Sequence, residues 1–535
     1  MAKAPFEIRI ETILGGQSPT THFSQAGQFR ASLGIDPAQP INDLDTAYST
    51  IASGLLRPSA SEEFSGTTIN SAPLWMKTNP KDTLIYVYDA LGSAYTITAT
   101  LDTVTALSDA GHLSSALGNG FEYYDNYMYF FKNTDVCRYG PLNGTPVFNP
   151  TYWTGTLAKT ALVNTIYPST FLNDLRLPNH PAVRHSDGTL YFGDVVDNQG
   201  YIHTIKTSKT TVEGDTNNGS TYQKLAFGYG LWPTAIESYG SDIAIAFFEG
   251  GNIGLKQKSA KLAFWDTTST NFNKITWVEF PDSIITAIKN VNGVLYVVSG
   301  NYKTRGFRVT RFLGGYSFDE VYYSETGEPC LPGAIDGLLN RVVFGSHTNV
   351  PESDGCVYAV GLQKAKLSTG LFNIMRATGG DASTCVTAVA FADATEMGFS
   401  VPIIGWSKGS GIGNNGLDKQ NVAYNNAPSV FWENIIRIGH NFKITKVKIP
   451  LAQAIAANMI ITAKIYTDDG AGTTYTLKTI DNTNFSGKKD IVLRSDSSGK
   501  AITGEHNFWL ELRWTGSALC TVNLPIIIEG ETYDD

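Results

Sequence analysis

The chain has 535 residues, a net charge of −9, 42% hydrophobic and only 17% charged residues. The mild acidity is dispersed and no Lys/Arg block occurs, which argues against nucleic-acid binding through phosphate neutralisation. No apolar run reaches the roughly 18 residues of a membrane-spanning helix, and the length predicts two or three units rather than one core.

Residues 1–72 begin with the strand-like Phe6-Glu7-Ile8-Arg9-Ile10-Glu11-Thr12-Ile13-Leu14 and continue through a Gly/Ser/Pro-rich stretch. Such an arm has no core of its own and is expected to pack along the following domain or on a neighbouring subunit. The opening residues lack the apolar centre of a signal peptide. Cys137, Cys330, Cys356, Cys385 and Cys520 are scattered and odd in number, so neither a disulfide framework nor a zinc pattern emerges. They read as small buried thiols in a chain made in a reducing cytosol.

From residue 73 to 410 one phrase recurs seven times: an apolar patch, a tight polar turn, then a β-branched and aromatic run. Trp75, Tyr123, Val183, Ile236, Ile288, Ile335 and Val389 anchor the copies. They recur at a loose period of roughly fifty residues, the size of four short strands with their turns, or one propeller blade. Asp187-Gly188 and Asn292-Gly293 supply the Asx-Gly chemistry of two-residue hairpins. Residues 103–117, with Leu107, Ala110, Leu113 and Leu117, fit one short helix. No sustained strand–helix alternation exists, which excludes a doubly wound fold. Seven blades are favoured and six are the alternative.

Residues 411–430 read as a polar linker or long loop. After it, strands are expected at 434–438, 444–451, 459–467, 474–480, 490–494, 507–515 and 520–528. In Phe508-Trp509-Leu510-Glu511-Leu512-Arg513-Trp514 the apolar residues alternate onto one face. Seven short strands with Asp/Gly/Ser/Asn turns predict a β-sandwich or jelly roll over 431–535.

Candidate chemistry is thin. Gly405-Trp406-Ser407-Lys408-Gly409 matches the nucleophile-elbow pattern, but the glycine-rich continuation cannot open the helix that the elbow requires. Asp187-Gly188 lies in a phrase resembling an aspartate-box turn, which the hairpin alone explains. Asp215-Thr216-Asn217-Asn218-Gly219 and Asp481-Asn482-Thr483-Asn484 place oxygens at alternate positions, without the downstream bidentate Glu of a calcium loop. The eight histidines form no ligand motif, and His180 and His203 read as structural. No catalytic, cofactor-binding or metal residue is singled out.

Several phrases resemble poorly characterised virion proteins of tailed bacteriophages. They are Ile13-Leu14-Gly15-Gly16-Gln17-Ser18-Pro19, Pro73-Leu74-Trp75-Met76-Lys77-Thr78-Asn79-Pro80, Asp135-Val136-Cys137-Arg138-Tyr139-Gly140-Pro141-Leu142, Asn292-Gly293-Val294-Leu295-Tyr296-Val297 and Arg311-Phe312-Leu313-Gly314-Gly315-Tyr316. The resemblance covers most of the chain and implies a propeller-bearing tail component such as the nozzle of short-tailed phages. The resulting expectation is a non-enzymatic virion protein in a symmetric ring, made in the host cytoplasm. Its expected partners are copies of itself and neighbouring tail proteins. The alternatives are a receptor- or glycan-binding module and, behind it, a carbohydrate-active hydrolase.

Overall fold

Short apolar runs separated by polar turns fold here as antiparallel hairpins. In the computed structural model Asn292 and Gly293 both have positive φ (51° and 83°) and join Ile284–Val291 to Val294–Gly300. Asn and Gly take that left-handed geometry at low cost. Asp125 and Asn126 (φ 46° and 65°) turn Gly120–Tyr124 into Tyr127–Phe131 in the same way. The structure describes residues 3–12, 16–17, 28–33, 35–36, 56, 59–79, 84–98, 103–107, 113, 120–132, 136–153, 180–196, 199–206, 223–249, 259–270, 272, 275–301, 306–314, 317–324, 327–338, 341–345, 347–348, 355–361, 371–379, 384–392, 401–408, 413–421, 429–468, 472–518 and 520–533.

Seven sheets of one plan run through the described residues, six of them meanders in chain order and the seventh completed by a strand from earlier in the chain. Sheet one holds Pro73–Thr78, Ile85–Asp89, Ala94–Ile97 and Thr103–Ala106, with Ser65–Gly66 added in parallel. Sheet two holds Gly120–Tyr124, Tyr127–Phe131, Val136–Gly140 and Val147–Trp153, and sheet three Ala182–Arg184, Thr189–Val196, Gln199–Lys206 and Gln223–Tyr229. Sheet four comprises Leu231–Tyr239, Asp242–Glu249, Lys261–Trp265 and Thr276–Glu279. Sheet five comprises Ile284–Val291, Val294–Gly300, Phe307–Gly314 and Ser317–Ser324. Sheet six is Ile335–Leu338, Arg341–Gly345, Cys356–Val360 and Leu371–Arg376. Sheet seven takes Cys385–Ala392, Val401–Ser407 and Asn415–Asn421 in sequence, and its fourth strand, Ala60–Glu63, from the other end of the chain.

Second strands such as Ile85–Asp89 and Arg341–Gly345 are buried along their whole length. A strand covered on both faces has no wet side, which is why it reads as an unbroken run. Tyr88, Phe121 and Phe130 join sheets one and two in one apolar cluster, and Phe131 and Phe192 join two and three. The first strands touch in chain order, and Cys385–Ala392 meets Pro73–Thr78 to close a ring. Thr387 Oγ1 donates to the Pro73 carbonyl (2.6 Å) and Thr78 Oγ1 to that of Phe391 (2.7 Å) across the closure.

Two further sheets are built otherwise. Sheet eight orders Lys3–Ile10, Ile526–Tyr533, Asn441–Pro450 and Asp490–Leu493, with Ile502–Gly504 also beside Asn441–Pro450. Sheet nine orders Ala31–Leu33, Ser429–Trp432, Asn507–Trp514, Ile461–Thr467 and Thr474–Thr476, with Ile436–Arg437 beside Asn507–Trp514. Phe442 and Phe508 bring the two sheets together at 5.4 Å between ring centroids. By internal contacts the chain forms two units, one of 1–62, 356–376 and 420–535, the other of 63–355 and 377–419.

The structure departs from the sequence expectations in three places. The residues expected to form a linker, 411–430, contain the third strand of sheet seven, Asn415–Asn421, and the start of Ser429–Trp432. Polar side chains disguised the former: Asp418 is fully buried and hydrogen-bonded inside the protein. Within the arm, 1–72, the described strand Lys3–Ile10 is paired along its whole length with the chain's own Ile526–Tyr533. Thr103–Ala106, expected to begin a helix, is a strand between Ala94–Ile97 and Ser65–Gly66. The one helix among the described residues is the single turn Asn482–Phe485, so none is long and apolar enough to cross a membrane.

Candidate functional site

Strand register brings together a set of charges that the sequence anchors hid. Met76, Phe121, Val183, Ile236, Ile288, Ile335 and Val389 occupy equivalent positions, each opposite the middle of its second strand. The residues that follow them are Lys77, Glu122, Arg184, Glu237, Lys289, Asp336 and Ala390. Reading around the ring, the signs alternate, plus then minus, through six sheets, and the seventh position is neutral. Trp75 and Tyr123 are out of register with the other five anchors. Aligning the runs by their cross-strand partners exposes the column.

Five of the six charges are spent on one another. Lys77 Nζ lies 3.0 Å from Glu122, and Lys289 Nζ lies 2.9 Å from Asp336 and 4.0 Å from Glu237. Asp336 also accepts the Phe391 backbone N–H at 3.1 Å. Burial pushes the Glu237 carboxyl up, against the pull of Lys289 and Lys77. Burial disfavours the Lys289 cation, but Asp336 and Glu237 outweigh it and hold its pKa above the ordinary lysine value. Burial likewise opposes the Asp336 anion, and Lys289 and Lys77 reverse the balance and hold its carboxyl low. Arg184 is exposed and meets no carboxylate among the described residues.

The motifs singled out in the sequence are structural here. Gly405, Trp406 and Ser407 end the strand Val401–Ser407, and Trp406 Nε1 donates to Asp418 at 2.9 Å. A Cβ on Gly405 would come 2.5 Å from the Pro73 side chain, so close packing requires that glycine. Asp187-Gly188 belongs to the longer turn His185–Gly188, closed by the Gly188 N–H to the His185 carbonyl at 3.2 Å. Asp481 caps the Asn482–Phe485 turn by accepting from the Asn484 N–H at 2.8 Å. Asp215–Gly219 and Gly409 lie outside the described residues. His180 and His203 flank Asp194, a residue not singled out, at 3.6 and 3.2 Å. All three are buried, and no group of three or more His, Cys, Asp or Glu among the described residues is arranged for a metal ion. The five cysteines are buried thiols outside any disulfide, and desolvation pushes the Cys520 thiol up to about 12.

A second cluster lies on one face of sheet nine. Strand alternation turns Phe508, Leu510, Leu512 and Trp514 to the buried face, leaving Trp509, Glu511 and Arg513 on the other. Register aligns Trp432, Glu511 and Lys464 in one row and Trp509 with Tyr466 in the next. Glu511, 2% exposed, is the hub. It accepts from Trp432 Nε1 at 3.0 Å, Tyr466 Oη at 2.7 Å and Arg513 Nε at 3.2 Å, with Lys464 Nζ 3.8 Å away. Tyr466 and Trp509 stack at 5.1 Å with planes 4° apart, and the Arg30 guanidinium lies over Trp509 at 5.3 Å. The Trp432 ring is partly exposed and carries no ring or cation on its faces among the described residues. Glu433, next in the chain, is buried, and desolvation pushes its carboxyl up to about 7.

No family model and no curated protein sequence matches the chain. Solved structures do. The computationally designed Ika8 protein aligns over 70% of this chain and 97% of its own at 14% identity, TM-score 0.34. The Pan2 WD40 domain of Neurospora crassa aligns over 68% and 95% at 10% identity, TM-score 0.42. The extracellular domain of the putative hybrid two-component system BT3049 from B. thetaiotaomicron aligns over 87% of this chain and 57% of its own at 10% identity, TM-score 0.42. The described strands make this an all-β protein built mainly of four-stranded antiparallel sheets, and the solved structures it aligns with include β-propeller proteins.

Proposed function

We propose that this chain is a non-enzymatic structural protein of a tailed-bacteriophage virion, a tail component assembled in a symmetric ring. In this reading sheets one to seven are the blades of a seven-bladed propeller, and sheets eight and nine form a β-sandwich. One observation carries it: where the seven first strands converge, five of the six charged side chains, Lys77, Glu122, Glu237, Lys289 and Asp336, meet in ion pairs, which serves a rigid scaffold. The phage-like phrases around Pro73–Pro80 and Arg311–Tyr316 supply the virion assignment. Quantitative mass spectrometry of purified particles of the encoding phage tests it. The chain is expected at fixed copy number in the tail fraction, and presence in the lysate with absence from tails overturns the proposal. A second reading, contact with a glycan on the host surface, is favoured by the partly exposed Trp432 on sheet nine.

A further inference from the structure

We infer that the outward face of sheet nine binds a carboxylated polysaccharide, with Trp432 as the stacking platform. The Trp432 ring is held in one orientation by its Nε1–H bond to Glu511, a carboxylate itself fixed by Tyr466 and Arg513. A partly exposed indole whose edge is pinned and whose faces are not covered by another described ring or cation suits a pyranose, which presents a flat array of C–H groups. By contrast, Trp509 already carries the Tyr466 ring and the Arg30 guanidinium, so it supports the face without offering a platform.

Charge selects the class of sugar. Arg30, Lys464 and Arg513 are three cations in this cluster, and Glu511 is the carboxylate that Lys464 and Arg513 both meet. That leaves an excess of two positive charges on a chain whose net charge is −9. A local field opposite in sign to the whole molecule favours an anionic ligand and steers it to that place. Guanidinium and ammonium groups beside an aromatic platform match a sugar ring that carries a carboxylate. A neutral glucan would leave those cations uncompensated.

Affinity electrophoresis of the full chain through gels containing polygalacturonate, dextran or dextran sulfate reads this directly. Polygalacturonate should retard the protein and neutral dextran should not. Trp432→Ala should weaken polygalacturonate binding about tenfold or more, while Trp432→Phe retains most of it. Lys464→Gln with Arg513→Gln should also weaken it and flatten its salt dependence; this pair keeps the test alive if Trp432→Ala fails to fold by circular dichroism. No retardation by polygalacturonate overturns the inference. So does equal retardation by dextran, or undiminished binding by a folded Trp432→Ala protein, which would reveal generic attraction to polyanions such as dextran sulfate. Binding by the soluble chain is read independently of its place in a particle, so either proposal fails alone.

Discussion

Asp418 contributes an ionisable group to a strand with almost no access to water. It accepts from the Thr378 N–H (2.6 Å), Thr378 Oγ1 (2.8 Å) and Trp406 Nε1 (2.9 Å), yet burial pushes its carboxyl up to about 6. Asp89 is raised to about 6 for the same cause, although the Ser93 and Leu91 amides donate to it. A carboxyl that binds its proton more tightly when folded adds stability below its unfolded pKa. That contribution is lost as pH rises through the folded value. A proton held roughly a hundredfold more tightly is worth about 3 kcal/mol for each group. Stability should therefore fall between about pH 4 and pH 6 on account of these two residues. Asp418→Asn keeps one acceptor and removes the charge, so the difference in melting temperature between pH 4 and pH 7 should shrink; an unchanged difference would refute the assignment. Little of this was legible in sequence, because Asn415-Gly416-Leu417-Asp418-Lys419-Gln420-Asn421 has a loop's composition. Its polar groups find partners only after folding has brought Thr378 and Trp406 to it.

At the level of elements, sheet seven depends on a strand that precedes sheets one to six in the chain. Ala60–Glu63 covers Asn415–Asn421, and the Gln420 side-chain amide donates to Asp36 (2.7 Å) and to Ser59 Oγ (2.8 Å) beside it. Removing residues 1–64 would leave Asn415–Asn421 as an open edge with unpaired backbone groups. The truncated protein should be cleaved by protease within 393–421 at least tenfold faster than the full chain, as followed by mass spectrometry. Equal cleavage would show that the fourth strand is dispensable. Hairpins were the most legible elements, since Asn292-Gly293 dictates its turn locally. Ala60-Ser61-Glu62-Glu63 was illegible, because pairing across hundreds of residues leaves no local periodicity. Thr103–Ala106 was misread because four residues with one buried Val104 fit either period.

For the molecule as a whole, closure depends on the charges that meet at the first strands. Lys289 compensates both Glu237 and Asp336, whose side chains keep only 17% and 26% exposure. Lys289→Met would strand two partly buried carboxylates at a cost of about 2–3 kcal/mol, less than a fully desolvated pair because some water remains. Urea titration should show a lower midpoint, and adding Glu237→Gln and Asp336→Asn should recover most of the loss. A triple variant no more stable than the single one would remove the ion pairs from the account. The phrase repeat made the sheet count readable, while the charge column required strand register, which sequence spacing blurred at Trp75 and Tyr123. Seven is odd, and two signs cannot alternate around an odd circle without a like pair becoming neighbours. Ala390 is the station where that conflict is resolved, between Asp336 and Lys77, at the seam where the last sheet meets the first. Lineages that add or lose one sheet become even-membered and are free to charge that station, whereas odd-membered ones that keep the alternation must hold one station neutral.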